Sequence, residues 1–214
     1  MRFPPEESGL SGTPLKHPMT SAPLLALTTS SPGELWLLIA PFRILEMEQV
    51  VIPRLALRGP VHILVGGQGY DVDGILRSLR KLTPDAATVR TRIRQRRAPT
   101  AFQMRALLKV TPATPEPLIV LNFLVHYFDE DDQFWKSRYL LEDSLAELQR
   151  LGREGPVVVT IRSDPLREPK HIQVIDRLRQ LTDRVIEFVP APAPAQMRLF
   201  DTPLKIKKGM SNLS

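Results

Sequence analysis

The chain has 214 residues, which suits one α/β domain with tails and is too short for two full-sized enzyme domains. Hydrophobic residues make up 43% of it and charged residues 24%, which excludes a wholly disordered or fibrous protein. The sequence contains no cysteine, which excludes a disulfide framework, a thiolate zinc site and a cysteine nucleophile. Its apolar stretches are too short for a membrane-spanning helix and it starts without a secretion-signal pattern, so we expect a cytoplasmic protein that does not contact membranes.

The net charge of +6 is unevenly distributed. Residues 43–110 carry 13 basic and 5 acidic side chains, whereas residues 111–155 carry 4 and 9. The densest basic run consists of Arg90, Arg92, Arg94, Arg96 and Arg97. Because arginine forks onto phosphate and its binding releases counterions, this run is a candidate DNA-binding site. The alternative is a solvated strand edge whose charges discourage aggregation.

Proline positions predict the domain boundaries. Residues 1–33 are rich in Pro, Ser and Thr and lack periodicity, so we expect a disordered arm. Prolines crowd again in residues 190–214, which predicts a flexible tail. The ordered domain is expected over residues 34–189.

Short apolar blocks at residues 35–39 and 61–65 predict buried strands. Between them, apolar residues at helical spacing over residues 44–55 predict a helix that Pro53 must kink or end. A glycine-rich turn follows the second strand, and Asp71 can cap the strongly amphipathic helix that comes next.

Residues 89–94 alternate arginine with other residues, the period of a strand with one charged face. Thr100 can cap the helix that follows. Residues 118–125 are the most hydrophobic segment and predict an internal strand.

The rest of the chain continues the alternation of strands and helices. It comprises an acidic loop, a long amphipathic helix, a strand over residues 156–161, a further helix and a last strand over residues 184–189. This order predicts an α/β fold with a three-layer, doubly wound and mostly parallel sheet, because right-handed crossovers place helices on both of its faces.

No loop at the carboxyl ends of these strands, where such sheets bind ligands, has a complete phosphate-binding pattern. The loop GGQGYDVDG after residue 65 lacks lysine and carries two aspartates, and APFRIL after residue 39 lacks glycine. The four histidines show no metal-ligand spacing. We therefore expect no cofactor and no metal, although the acidic run Asp129, Glu130, Asp131 and Asp132 leaves open a magnesium site as an alternative to a solvated helix start.

The order of segments resembles the RecA superfamily, specifically the ATPase core of archaeal RadA and the eukaryotic recombinases. PGELWLLIAP (32–41) resembles the strand that leads into the family's phosphate loop, and VHILVGGQGYDVDGILRSL (61–79) resembles its second strand and helix. RAPTAFQMRALL (97–108) is similar to an Arg-Ala-x-Asn/Thr-x-x-x-Gln segment, with Gln103 one place early. LIVLN (118–122) resembles the strand that ends in the magnesium-associated aspartate, and VVVT (157–160) resembles the strand before a DNA-contacting loop.

The departures from the family pattern fall on its catalytic positions. The Gly-Lys-Thr of the phosphate loop is replaced around residues 40–43, Gly66 or a neighbour stands in place of the catalytic glutamate, and Asn122 stands in place of the strand aspartate. The degenerate nucleotide site thus comprises Ala40, Pro41, Phe42, Arg43, Gly66 and Asn122. The resemblance implies a RecA-like P-loop fold without a functional P-loop, in a pseudo-ATPase that is not an enzyme.

The tail contains a second resemblance. Gln196-Met197-Arg198-Leu199-Phe200 resembles the bacterial sliding-clamp-binding pentapeptide Gln-x-x-Leu-Phe, with Gln196, Leu199 and Phe200 as its motif residues. The alternative is that Leu199 and Phe200 add a last strand or pack on the core.

These observations predict a non-catalytic RecA-like accessory protein in DNA repair or recombination. Its expected partners are DNA, a sliding clamp or repair polymerase, and a RecA-like partner subunit. One alternative is a protein interaction or signalling module of the RecA and KaiC-like superfamily with no DNA role. A second is a magnesium-dependent enzyme that uses the acidic loop.

Overall fold

Seven parallel strands form the sheet of the computed structural model, which describes residues 15–17, 21–41, 43–67, 70–127, 134–163 and 169–188. The strands are β1 (Leu15–His17), β2 (Leu35–Ala40), β3 (Val61–Gly66), β4 (Ile93–Ala98), β5 (Leu118–Leu121), β6 (Val157–Arg162) and β7 (Arg184–Phe188). Their spatial order is β1-β7-β2-β6-β5-β3-β4, and every neighbouring pair is parallel. The predicted mostly parallel sheet is confirmed.

Helices cover both faces of this sheet. They are α1 (Ser21–Ala26), α2 (Ile52–Arg58), α3 (Val72–Leu82), α4 (Ala86–Arg90), α5 (Ala101–Val110), α6 (Phe134–Gly152) and α7 (Pro169–Leu181). Helices α5 to α7 build one hydrophobic core with the sheet, and α1 to α4 build a second core on its opposite face. The three-layer, doubly wound prediction is confirmed. Among the described helices, none is both long and apolar enough to cross a membrane.

Burial on both faces explains why the central strands are apolar at every position. In β2, Leu35, Leu37 and Ile39 face the core of α5 to α7, whereas Trp36 and Leu38 face the other core. A strand with helices on each side has no solvent-facing position, so its sequence shows no alternation. This is why residues 35–39 could be assigned from the sequence as a buried strand.

The segment before α2 accommodates Pro53 without a break. The helix is continuous over residues 45–58, but it widens to a π-helical turn over Met47–Val51 immediately before α2. Proline lacks a backbone N–H, and its ring crowds the carbonyl four residues earlier, here that of Gln49. A widened turn relieves both problems, so the predicted kink takes the form of a π-bulge.

The ordered domain begins earlier than the predicted residue 34. Within the predicted arm, β1 pairs with β7, and α1 leads into a 3-10 helix, Leu27–Thr29. Leu24 is 1% exposed and Leu27 is fully buried in the core of α1 to α4. Residues 21–29 are therefore part of the fold, whereas residues 1–14 and 190–214 lie outside the described chain.

The strand predicted over residues 89–94 is wrong at its start. The structure has α4 up to Arg90 and a turn at Thr91 and Arg92, and β4 begins at Ile93. Ala86 and Val89 are spaced one helical turn apart and pack into the core, which stabilises a helix where alternation suggested a strand.

Replacing Leu27 with alanine tests the role of the N-terminal segment. We expect Leu27→Ala to lower the free energy of unfolding by about 2–4 kcal/mol, because it opens a cavity in the core. Leu25→Ala is the matched control, since Leu25 is 39% exposed and should cost less than about 1 kcal/mol. Urea denaturation measures both, and equal small losses would show that residues 21–29 do not contribute to the core.

Candidate functional site

Four strands end close together at one edge of the sheet. β2, β6, β5 and β3 are consecutive neighbours and parallel, so their carboxyl ends meet there. Ser163 N donates to Ala40 O at 2.8 Å, and Asn122 N donates to Thr160 Oγ1 at 3.0 Å. The predicted residues Ala40, Pro41, Arg43, Gly66 and Asn122 all lie at this edge, whereas Phe42 lies outside the described residues.

Arg43, in the loop after β2, forms an ion pair with Glu48 in the π-helical turn before α2. Arg43 Nε donates to Glu48 Oε1 at 2.7 Å, and Nη2 donates to Oε2 at 2.5 Å. The Glu48 side chain is only 2% exposed, whereas that of Arg43 is 32% exposed. The hydrogen bonds to Glu48 raise the pKa of Arg43. Because a buried carboxylate is costly unless it is paired and hydrogen-bonded, Glu48 depends on these partners.

The same carboxylate reaches the loop after β3. The backbone N–H of Asp71 donates to Glu48 Oε2 at 2.7 Å. The Asp71 side chain accepts from Gly74 N at 2.8 Å and from Gln49 Nε2 at 3.0 Å, which confirms its predicted role as a helix cap. These hydrogen bonds, that of Gly74 first, lower the pKa of Asp71. Through Arg43 and the Asp71 amide, Glu48 thus joins the loop after β2 to the loop after β3. These two strands are not neighbours in the sheet.

Residue spacing shows what stands in place of a phosphate loop. Such a loop reads G-x-x-x-x-G-K-[ST], with a lysine for the phosphates and a hydroxyl for magnesium. With Ala40 at the first glycine position, the Gly-Lys-Ser/Thr positions fall on Leu45, Glu46 and Met47, which is later in the chain than the predicted residues 40–43. Met47 is fully buried in the core, and Glu46 carries the charge opposite to that of lysine.

Gly66 lies against the backbone of the neighbouring strand end. A Cβ at Gly66 would lie 2.4 Å from Asn122 O, so a larger residue requires the backbone to move. Asn122 itself has φ 53°, a left-handed conformation that asparagine tolerates better than most residues. This turn ends β5 at Leu121, four residues before the end of the predicted strand.

The five arginines of the predicted DNA site do not form one row. Arg92 Nη1 donates to Ala56 O and Leu57 O at the end of α2, and Arg97 Nε donates to Gly67 O at 2.8 Å. Both side chains therefore hold the fold together.

The other three arginines are exposed, as is Arg97, but their side chains do not bond the backbone of another element. Arg94 lies 3.5 Å from Glu116, which also bonds His62 at 2.6 Å. The side chains of Arg90 and Arg96 have no hydrogen bond or ion pair to any residue that the structure describes. β4 is an edge strand, as the solvated-edge alternative expects, and Arg94 and Arg96 project from the same side of it.

Helix α3 adds cations outside the predicted arginine run. Arg77, Arg80 and Lys81 are exposed on α3, which packs against α4. Residues 72–98 carry eight basic and only two acidic side chains, Asp73 and Asp85. The segment that contains α3, α4 and β4 is thus strongly basic as a whole.

Some predicted features cannot be located. The acidic run Asp129 to Asp132 and the tail residues Gln196, Leu199 and Phe200 lie outside the described residues. Within the described ranges, no group of three or more His, Asp or Glu side chains is placed to hold a metal ion.

Gly66→Ala tests the close approach between β3 and β5. We expect a loss of at least about 2 kcal/mol in the free energy of unfolding, because the added methyl group meets a backbone oxygen that cannot turn away. Gly59→Ala is the control, since it has open space around the missing Cβ and an extended φ of 172°, and it should stay within about 1 kcal/mol of wild type. Chemical denaturation that gave the two variants equal stability would contradict this geometry.

Comparison with known proteins bears on the fold. No model of a protein family matches the sequence, and no curated protein matches it. Among solved structures, 121 chains match, including one described as the crystal structure of the RadB recombinase. That match has a TM-score of 0.56 and 15% sequence identity, and it covers 79% of this chain and 82% of the other. This chain therefore has the RecA-like α/β fold.

Proposed function

We propose that this chain is a non-catalytic accessory protein of DNA repair or recombination that uses its RecA-like fold as a binding platform. The observation that carries the proposal is the Arg43–Glu48 pair, in which the cation of the loop after β2 is bound by the helix that follows it. A recombinase among the proteins of similar fold supports the role in DNA metabolism.

Phosphoryl transfer requires a phosphate loop, a catalytic carboxylate and a metal-binding aspartate, and the residues at these three positions do not provide them. A phosphate loop needs glycines and a lysine, and this segment instead has Leu45 and Glu46 at those positions. The guanidinium of Arg43, the nearest cation in the loop, is already paired with Glu48. Gly66 leaves no room for a catalytic carboxylate, and Asn122 is neutral where a metal-binding aspartate is needed.

The binding platform is the exposed part of the basic segment. The exposed side chains of Arg90, Arg94 and Arg96 make no hydrogen bond to the backbone, whereas Arg92 and the equally exposed Arg97 bond the backbone of neighbouring segments. Exposed arginines that are not needed by the fold are the ones available to pair with backbone phosphates. A sliding clamp at Gln196, Leu199 and Phe200, a repair polymerase and a RecA-like partner subunit stay predictions from the sequence.

The triple variant Arg90→Ala, Arg94→Ala, Arg96→Ala tests the platform. We expect it to weaken binding to single-stranded DNA and to reduce the magnitude of the slope of log K against log salt by about 2. Each phosphate contact releases counterions when it forms, so three fewer contacts release fewer of them. Fluorescence anisotropy over a series of salt concentrations measures both quantities.

The control for this experiment is Arg153→Ala, which removes an exposed arginine outside the basic segment. It should leave the affinity and the salt slope close to those of wild type. A wild-type chain that does not bind DNA, or a triple variant that binds like the control, would favour the interaction module without a DNA role.

A further inference from the structure

We propose that Glu48 is the internal occupant of an oxyanion-binding site, and that this site binds a small carboxylate or phosphate anion when the Glu48 side chain is removed. The inference deepens the proposed function and rests on it. It identifies Glu48 as the group that occupies the donors in the loop where a RecA-like ATPase would bind nucleotide phosphates.

Three N–H groups converge on the carboxylate. Two belong to the guanidinium of Arg43 and the third is the backbone amide of Asp71, and the three donor distances lie between 2.5 and 2.7 Å. A guanidinium fork combined with a backbone amide matches the oxygen spacing of carboxylates and phosphates alike. The donors therefore form an anion site, and its present occupant is a side chain of the same chain.

The backbone donor, the Asp71 amide, is held by contacts that do not involve Glu48. The Asp71 side chain accepts from Gly74 N and from Gln49 Nε2, which fixes the turn that presents the Asp71 amide. The carboxylate of Asp71 is engaged by these donors, and Arg77 lies 3.8 Å from it. The amide should thus stay in place when Glu48 is shortened, which leaves a site to be filled.

The side of the site that lies nearest to solvent is that of Arg43. Glu48 is 2% exposed, but its partner Arg43 is 32% exposed, so the guanidinium reaches from the buried carboxylate to the surface. An anion that replaces the Glu48 carboxylate would approach from this side. The phosphates of a nucleoside triphosphate cannot accept hydrogen bonds from these donors while the Glu48 carboxylate is bound to them.

A purely structural ion pair makes a different prediction. In that case, removal of the carboxylate lets the loop collapse or lets water take its place, and no anion is preferred over chloride. The two views are separated by chemical rescue, in which a free anion replaces the deleted carboxylate.

The experiment measures the thermal stability of the full chain carrying Glu48→Ala. Sodium formate or inorganic phosphate is titrated at constant ionic strength against sodium chloride. We expect formate, phosphate or both to raise the folded-to-unfolded ratio of this variant about tenfold when the anion reaches ten times its Kd. The formate arm reports carboxylate binding, and the phosphate arm reports binding of a phosphate group.

Three further chains serve as controls and should show only the small stabilisation that phosphate gives to folded proteins in general, without the tenfold gain. Wild type has the site occupied, Glu46→Ala removes a nearby carboxylate that does not contact Arg43 in the described structure, and Arg43→Ala combined with Glu48→Ala lacks the guanidinium. A Glu48→Ala chain that gains nothing from either anion would overturn the proposal. So would a double variant that gains as much as the single one.

Glu48→Ser provides a second variant if Glu48→Ala does not fold in chloride. Either chain, if unfolded in chloride, should regain helical circular dichroism in formate or phosphate, and failure of both to do so contradicts the proposal. The readout is stability and involves neither DNA nor nucleotide. A negative result would therefore leave the DNA platform standing, and a loss of the platform would not affect the rescue.

Discussion

The buried carboxylate of Glu48 holds together the edge of the sheet where ligands of this fold class bind. It pairs with Arg43 in the loop after β2 and with the Asp71 amide in the loop after β3. These strands are separated by β6 and β5, so the contact bridges two loops that the sheet itself does not bring together. Removing one partner would leave a charge buried without compensation, which costs about 3–5 kcal/mol in other proteins.

This constraint separates the fold of the chain from its chemistry. The parallel sheet and its two helical layers have the RecA-like arrangement, but a fold does not fix a function. Function resides in the strand-end loops, and here hydrogen-bonding groups of these loops are paired with protein groups, as the Arg43 guanidinium and the Asp71 amide are with Glu48. Glu48, the close approach of Gly66 to Asn122 and the buried Met47 all fill space and hydrogen-bonding capacity with protein atoms.

The sequence predicts elements well where a strand is buried on both faces, and less well where a short element packs on only one face. The central strands could be predicted because residues such as Leu37 and Leu38 are buried on opposite faces of the same strand. Leu24 and Leu27 were missed because a single helical turn between prolines, serines and threonines gives almost no periodicity. In residues 89–94 the arginines produced a strand-like alternation, although tertiary packing of Val89 favoured a helix.

The site itself was only partly predictable. The absence of a lysine and of glycines after β2 could be read directly, and so could the capping role of Asp71. The role of Glu48 could not, because its third donor lies 23 residues away and the contact exists only in the folded chain. The clash that a side chain at Gly66 would cause with Asn122 O is likewise set by the packing of β3 against β5.

ATP turnover by the purified full chain tests the central claim most directly. With magnesium and millimolar ATP, we expect no phosphate release above buffer, with or without single-stranded DNA, because the Arg43 donors in the loop after β2 are engaged by Glu48. Sustained phosphate release by wild type that is abolished by Arg43→Ala would contradict it, since Arg43 would then serve the nucleotide rather than Glu48.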